Sequence, residues 1–159
     1  RITSITMNTQ SDSAAGASAD YTLTFVTSST IASGERITFV VSQAGDNDPA
    51  ASGFDFSSTT FVSHDIVGNG AIVDTSAFYG ITLTNDLSAG TYDLQLGGVV
   101  NTSTDGNYTY GAMSTASPDP DSGITFDTTT FAIGSGGRQN SRGVPNIRRQ
   151  LPAQFGVVF

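Results

Sequence analysis

Between Ile81 and Thr115 apolar and polar residues alternate in three runs separated by short polar breaks. Ile81 and Leu83 share one parity; Tyr92, Leu94 and Leu96 share the next; Tyr108 and Tyr110 then oppose Asn107 and Thr109. Side chains of a strand alternate faces with period two, so each run has one face to bury and one to wet. Asn85-Asp86, Ser88-Ala89-Gly90 and Asn101 to Gly106 supply turn chemistry between them, which predicts three antiparallel strands of one sheet.

The same alternation recurs along the chain. Ile5 and Met7 follow Ile2; Tyr21, Leu23 and Phe25 form a clean run; Ile37, Phe39 and Val41 lie within Arg36 to Ser42. Phe54, Phe56 and Thr60 to Ile66 predict one or two further strands, and Gly68-Asn69-Gly70 predicts a turn before Ala71 to Val73. A Pro/Asp break over Ser117 to Gly123 precedes a last strand from Ile124 to Ile133. No stretch has the 3.6-residue period, and only a single helical turn fits, near Thr75 to Phe78. About eight to ten short strands with regular turns predict an all-β, antiparallel β-sandwich, Ig-like or jelly-roll-like. Shared parity places Leu23, Phe25, Ile37, Phe39, Val41, Ile81, Leu83, Leu94, Leu96, Tyr108 and Phe126 in its core.

The charge distribution divides the chain. Up to Gly137 there are two arginines against fourteen acids, a net of −12; beyond it stand Arg138, Arg142, Arg148 and Arg149 with no acid, a net of +4. Gly134-Ser135-Gly136-Gly137 has the composition of a flexible linker, so residues 1–133 read as the sandwich and 134–159 as a Gly-hinged basic arm. The arm ends in a β segment with Phe155, Val157 and Phe159 on one face. An acidic body excludes non-specific nucleic-acid binding, which needs a basic patch. No run approaches the roughly 18 apolar residues of a membrane span. If the protein is secreted, Arg1 is a processed end. The absence of cysteine excludes a disulfide scaffold and thiolate metal sites. Acid-rich, lysine-free surfaces suit salty or acidic surroundings.

Chemistry is sparse. His64 is the only histidine, and no nucleophile elbow accompanies it, so the sequence predicts no catalytic residue and no cofactor. Asp46 with Asp48 and Asp119 with Asp121 offer short-spaced carboxylates for Ca²⁺, but neither pair has an EF-hand register and turn formation is the favoured reading. Asn101 and Asn107 each head an N-glycosylation sequon, which admits glycans as partners. Tyr108, Tyr110 and Tyr79 could offer a sugar an aromatic platform, although aromatics at period two belong more often to a core.

Ala15-Gly16-Ala17-Ser18-Ala19-Asp20-Tyr21-Thr22-Leu23-Thr24-Phe25, followed by Ile31-Ala32-Ser33-Gly34 before Ile37-Thr38-Phe39, resembles the opening of β-sandwich modules in prokaryotic surface proteins. Leu87 to Tyr92, Gly97 to Asn101 and Gly106 to Thr109 are similar to the later part of such modules, with Thr102 at their usual proline and Asn107 at their usual threonine. The resemblance covers roughly Ala15 to Thr115. It implies an extracellular or cell-surface location and a structural role. A lone module with an extra β segment is similar to filament subunits joined by strand donation, so copies of the chain itself are the expected partners. On that reading Phe155, Val157 and Phe159 with the four arginines form the self-assembly arm, and Ile2 to Met7 is an alternative donor. A monomeric adhesin or carbohydrate-binding module is the other reading.

Overall fold

The computed structural model describes residues 1–74, 76–115 and 123–134. Ten strands follow in order: β1 (Ile2–Gln10), β2 (Ser18–Thr27), β3 (Arg36–Gln43), β4 (Thr60–Val62), β5 (Gly68–Asp74), β6 (Phe78–Leu83), β7 (Gly90–Val100), β8 (Gly106–Thr115), β9 (Thr125–Phe126) and β10 (Phe131–Ile133). They form two antiparallel sheets, one ordered β1-β2-β7-β4 and the other β10-β8-β3-β6-β5 with β9 on β8. The inward faces of both sheets meet in one core, as the alternation predicts. Among the described residues the single helical element is a 3₁₀ turn, Pro49–Ala51. There the Asp48 carboxylate caps the Ala50 amide, and Pro49 fills a first-turn position that needs no N–H donor.

The three runs between Ile81 and Thr115 do not share a sheet. β6 and β8 flank β3, whereas β7 lies between β2 and β4 across the core. Parity fixes which side chains point inward and is silent on which of two facing sheets carries them. The run Gly68-Asn69-Gly70 is strand, not turn. At Gly70 a Cβ would collide with the Tyr79 phenol and the Phe61 ring, so the glycine serves close packing.

Ten of the eleven predicted core residues are buried between the sheets. Phe126 is the exception. It is half-buried on the outer face of the larger sheet, against Gly111 and a second cluster with Val40, Phe78 and Ile124. β3 is therefore covered on both faces, which explains the near-continuous apolar run Ile37 to Val41.

A buried polar network pins the loop after β1. The Tyr21 hydroxyl donates to Asn101 Oδ1 at 2.5 Å and accepts from Gln10 Nε2 at 3.0 Å. Asn101 Nδ2 in turn donates to the carbonyls of Asp12 and Ala14, each at 3.0 Å. Asn101→Ala strands these partners and is expected to cost about 1–3 kcal/mol in denaturant unfolding. An unchanged midpoint would show the network to be dispensable.

Tyr110 is wholly buried with no partner for its hydroxyl among the described residues, and its ring packs on Tyr21 and Phe131. Burial raises the pKa of both Tyr21 and Tyr110 above the ordinary 10.0. Below pH 10 both states hold these protons; above it the unfolded chain loses them while the folded chain keeps them. Stability is thus fully present below pH 10 and falls as pH rises further toward the folded-state values. Phenolate absorbance should report these two rings ionising only with unfolding; their ionisation near pH 10 in a native protein would contradict the packing.

Candidate self-assembly edge

The two sides of the sandwich are finished differently. On one side β1 lies against β8 and β9, and side chains cover its edge. The Met7 amide donates to Asp127 Oδ2 at 2.7 Å, and Thr125 Oγ1 donates to the Ile2 carbonyl at 2.9 Å. Such contacts satisfy backbone groups that would otherwise template another strand.

On the other side the edges are β4 and β5. β4 is three residues long and among the described residues pairs only with β7. β5 is seven residues long, pairs with β6, and among the described residues has no strand on its other flank. Its sequence, Gly-Asn-Gly-Ala-Ile-Val-Asp, has no charge before Asp74 and no proline, so it lacks the usual devices that blunt an edge. The register Gly70↔Ile81 and Ile72↔Tyr79 turns Gly68, Gly70 and Ile72 toward the core side, leaving Asn69 and Ala71 outward.

Of the exposed large hydrophobic residues among those described, Val67 at 54% exposure just precedes β5 and Ile72 at 43% lies on it, whereas Val62 at 65% lies on the outer face of β4. Phe61 and Tyr79 close the core behind them over Gly70. Burial alone raises the Tyr79 pKa. The site is an unpaired strand edge beside apolar side chains, suited to accepting an extended segment.

Other sequence-predicted residues fall elsewhere. Asp119, Asp121, Arg138, Arg142, Arg148, Arg149, Phe155, Val157 and Phe159 lie outside the described residues. Gly134, first of the expected hinge glycines, donates its amide to the Ser13 carbonyl at 2.9 Å. Asn101 is only 2% exposed with its amide nitrogen committed twice, so the folded domain leaves no room for a glycan there; this sequon reading is corrected by its burial. Asn107 is exposed on β8 opposite Ala132. Asp46 and Asp48 are exposed, Asp48 is committed to its cap, and no cluster of three metal-ligating side chains occurs among the described residues. Tyr79, Tyr108 and Tyr110 are buried, so they form no sugar platform. His64 is exposed just past the end of β4.

No protein-family model matches the chain, and no curated protein matches it. Solved structures of similar shape include the following two. BslA, a bacterial hydrophobin, aligns with a TM-score of 0.46 and 14% identity over 82% of this chain and 94% of that one. A cohesin module from a Clostridium perfringens family 33 glycoside hydrolase aligns with a TM-score of 0.45 and 10% identity over 84% of this chain and 97% of that one. At these values the sandwich rests on the strand pairing itself, and function on the chain's own residues. The alternation did not single out the open edge, because Gly68-Asn69-Gly70 carries the signature of a turn. The available signal was an uncharged stretch from Ile66 to Val73.

Proposed function

We propose that this chain is a structural subunit of an extracellular surface assembly, in which Ala153 to Phe159 of one copy pairs along β5 of the next. The unpaired, uncharged β5 edge beside Val67 and Ile72 carries this reading. The segment Ala153-Gln154-Phe155-Gly156-Val157-Val158-Phe159 matches β5 in length and puts three large apolar residues on one face. Burying each contributes about 1.5–3 kcal/mol before ordering costs. The +4 tail, with Arg138, Arg142, Arg148 and Arg149, attracts the −12 body of a neighbour, more strongly at low salt.

The described chain leaves at β10, the edge of the larger sheet opposite β5. To pair outside its own β5 the arm must cross the sheet, about 24 Å at five strand spacings. A neighbour's arm need not. Donation between copies is heterologous and propagates into an open filament unless the rotation closes a ring. Sedimentation velocity and negative-stain microscopy of the full chain and of a chain lacking Ala153 to Phe159 test the proposal. Polymer from the first and folded monomer from the second support it. Polymer that survives the deletion eliminates the arm, and a full chain that stays monomeric favours the adhesin reading.

A further inference from the structure

The outer face of the smaller sheet, away from both the core and β5, holds an open concavity of about 420 Å³. Its wall draws on adjacent strands: Asn8 of β1, Thr24 of β2, Asp93 and Gln95 of β7, with Val62 and His64 at the β4 end. Asn8 Nδ2 donates to Thr24 Oγ1 at 2.7 Å, and Thr24 Oγ1 donates to Asp93 Oδ1 at 2.5 Å. This relay crosses three strands and fixes its members before any ligand arrives. Ser63 Oγ donates to the Asp93 carbonyl at 2.8 Å and ties the chain after β4 to β7.

Hydrogen-bonding capacity is left over. Among the described residues the side chains of Gln95 and His64 form no hydrogen bond, Asn8 uses one of its two amide hydrogens, and the second oxygen of Asp93 is uncommitted. The lining thus presents donors and acceptors together, the requirement for binding hydroxyl groups, which need both. Among the described residues Asp93 is its only carboxylate and no arginine lines it, which disfavours anionic ligands. Val62, 65% exposed, offers an apolar patch for a C–H face.

We infer that this concavity binds a neutral polyhydroxylated ligand, the saccharide units of an uncharged glycan. The inference is independent of polymerisation, since its residues belong to the opposite side of β4 from the core and none lies on β5. Saturation-transfer NMR is equally suited to monomer and polymer. The full chain is first screened on an array of neutral and anionic glycans, and hits are repeated in solution by that method. Neutral glycans are expected to bind, with Asp93→Ala and Gln95→Ala each weakening binding about tenfold while the melting temperature is retained. The inference is overturned if no neutral glycan binds, if acidic glycans bind as well, or if both folded variants bind like the parent.

Discussion

Phe39→Ala is expected to destabilise the domain by about 3–5 kcal/mol, the usual cost of removing a fully buried aromatic ring. For a chain of this size that lowers the melting temperature by roughly 6–20 °C. Phe39 is wholly buried on β3, the middle strand of the larger sheet, and its ring meets Phe25 of the facing sheet edge-on at 6.1 Å. With β6 and β8 holding β3 on both flanks, the surrounding backbone cannot collapse into the space left behind. Phe126→Ala, at a half-buried ring on the outer face, should cost clearly less. Equal losses at the two positions, or an unchanged midpoint for Phe39→Ala, would contradict the two-cluster packing.

Under the proposed strand donation, Ile72→Lys is expected to abolish polymer while leaving a folded monomer. Ile72 is 43% exposed, so the substitution removes little from the core and should cost about 1 kcal/mol. Its side chain nevertheless points to the core side of an edge strand, opposite Tyr79. A strand added outside β5 would force the new ammonium out of water, which is how natural edges refuse partners. Val62→Lys, on the outer face of β4, should leave assembly intact. Sedimentation velocity with far-ultraviolet circular dichroism separates the cases. Wild-type polymer from the folded Ile72→Lys chain would move the acceptor site away from β5.

How much of this the sequence discloses follows from what alternation encodes. Leu23, Phe25, Leu94 and Leu96 are inward because period two fixes a face, and that holds in either sheet. The assignment of β7 to the sheet opposite β6 and β8 is long-range information, settled by pairing with Thr22 to Phe25 far earlier in the chain. Phe126 misled because the larger sheet is covered on its outer face too, so its parity has an apolar meaning on both sides. Gly70 misled because a glycine that admits the Tyr79 and Phe61 rings looks like one that admits a turn. Asn101 fits a sequon, yet it is the hub of a buried network whose partners, Tyr21, Asp12 and Ala14, are distant in sequence. Of the proposed assembly site, the arm's apolar face is legible from Phe155, Val157 and Phe159, whereas the candidate acceptor edge is visible only once β5 is placed last in its sheet.

The chain contains no cysteine, so engineered thiols can report which copy's arm reaches which edge. Ala71 points outward from β5, and Gly156 has the parity opposite to Phe155 and Val157, so in a donated strand both lie on the same outer face. Directly opposed residues on paired antiparallel strands have Cα atoms about 4.5–5.5 Å apart, within the span of a disulfide. Proteins carrying Ala71→Cys and Gly156→Cys are mixed, allowed to assemble and oxidised, then resolved by non-reducing electrophoresis and mass spectrometry, with neighbouring positions of the arm scanned for register. Strand donation predicts a disulfide joining the two different chains. An internal disulfide in the Ala71→Cys/Gly156→Cys double variant, with no link between the mixed single variants, would mean that the arm completes its own sheet.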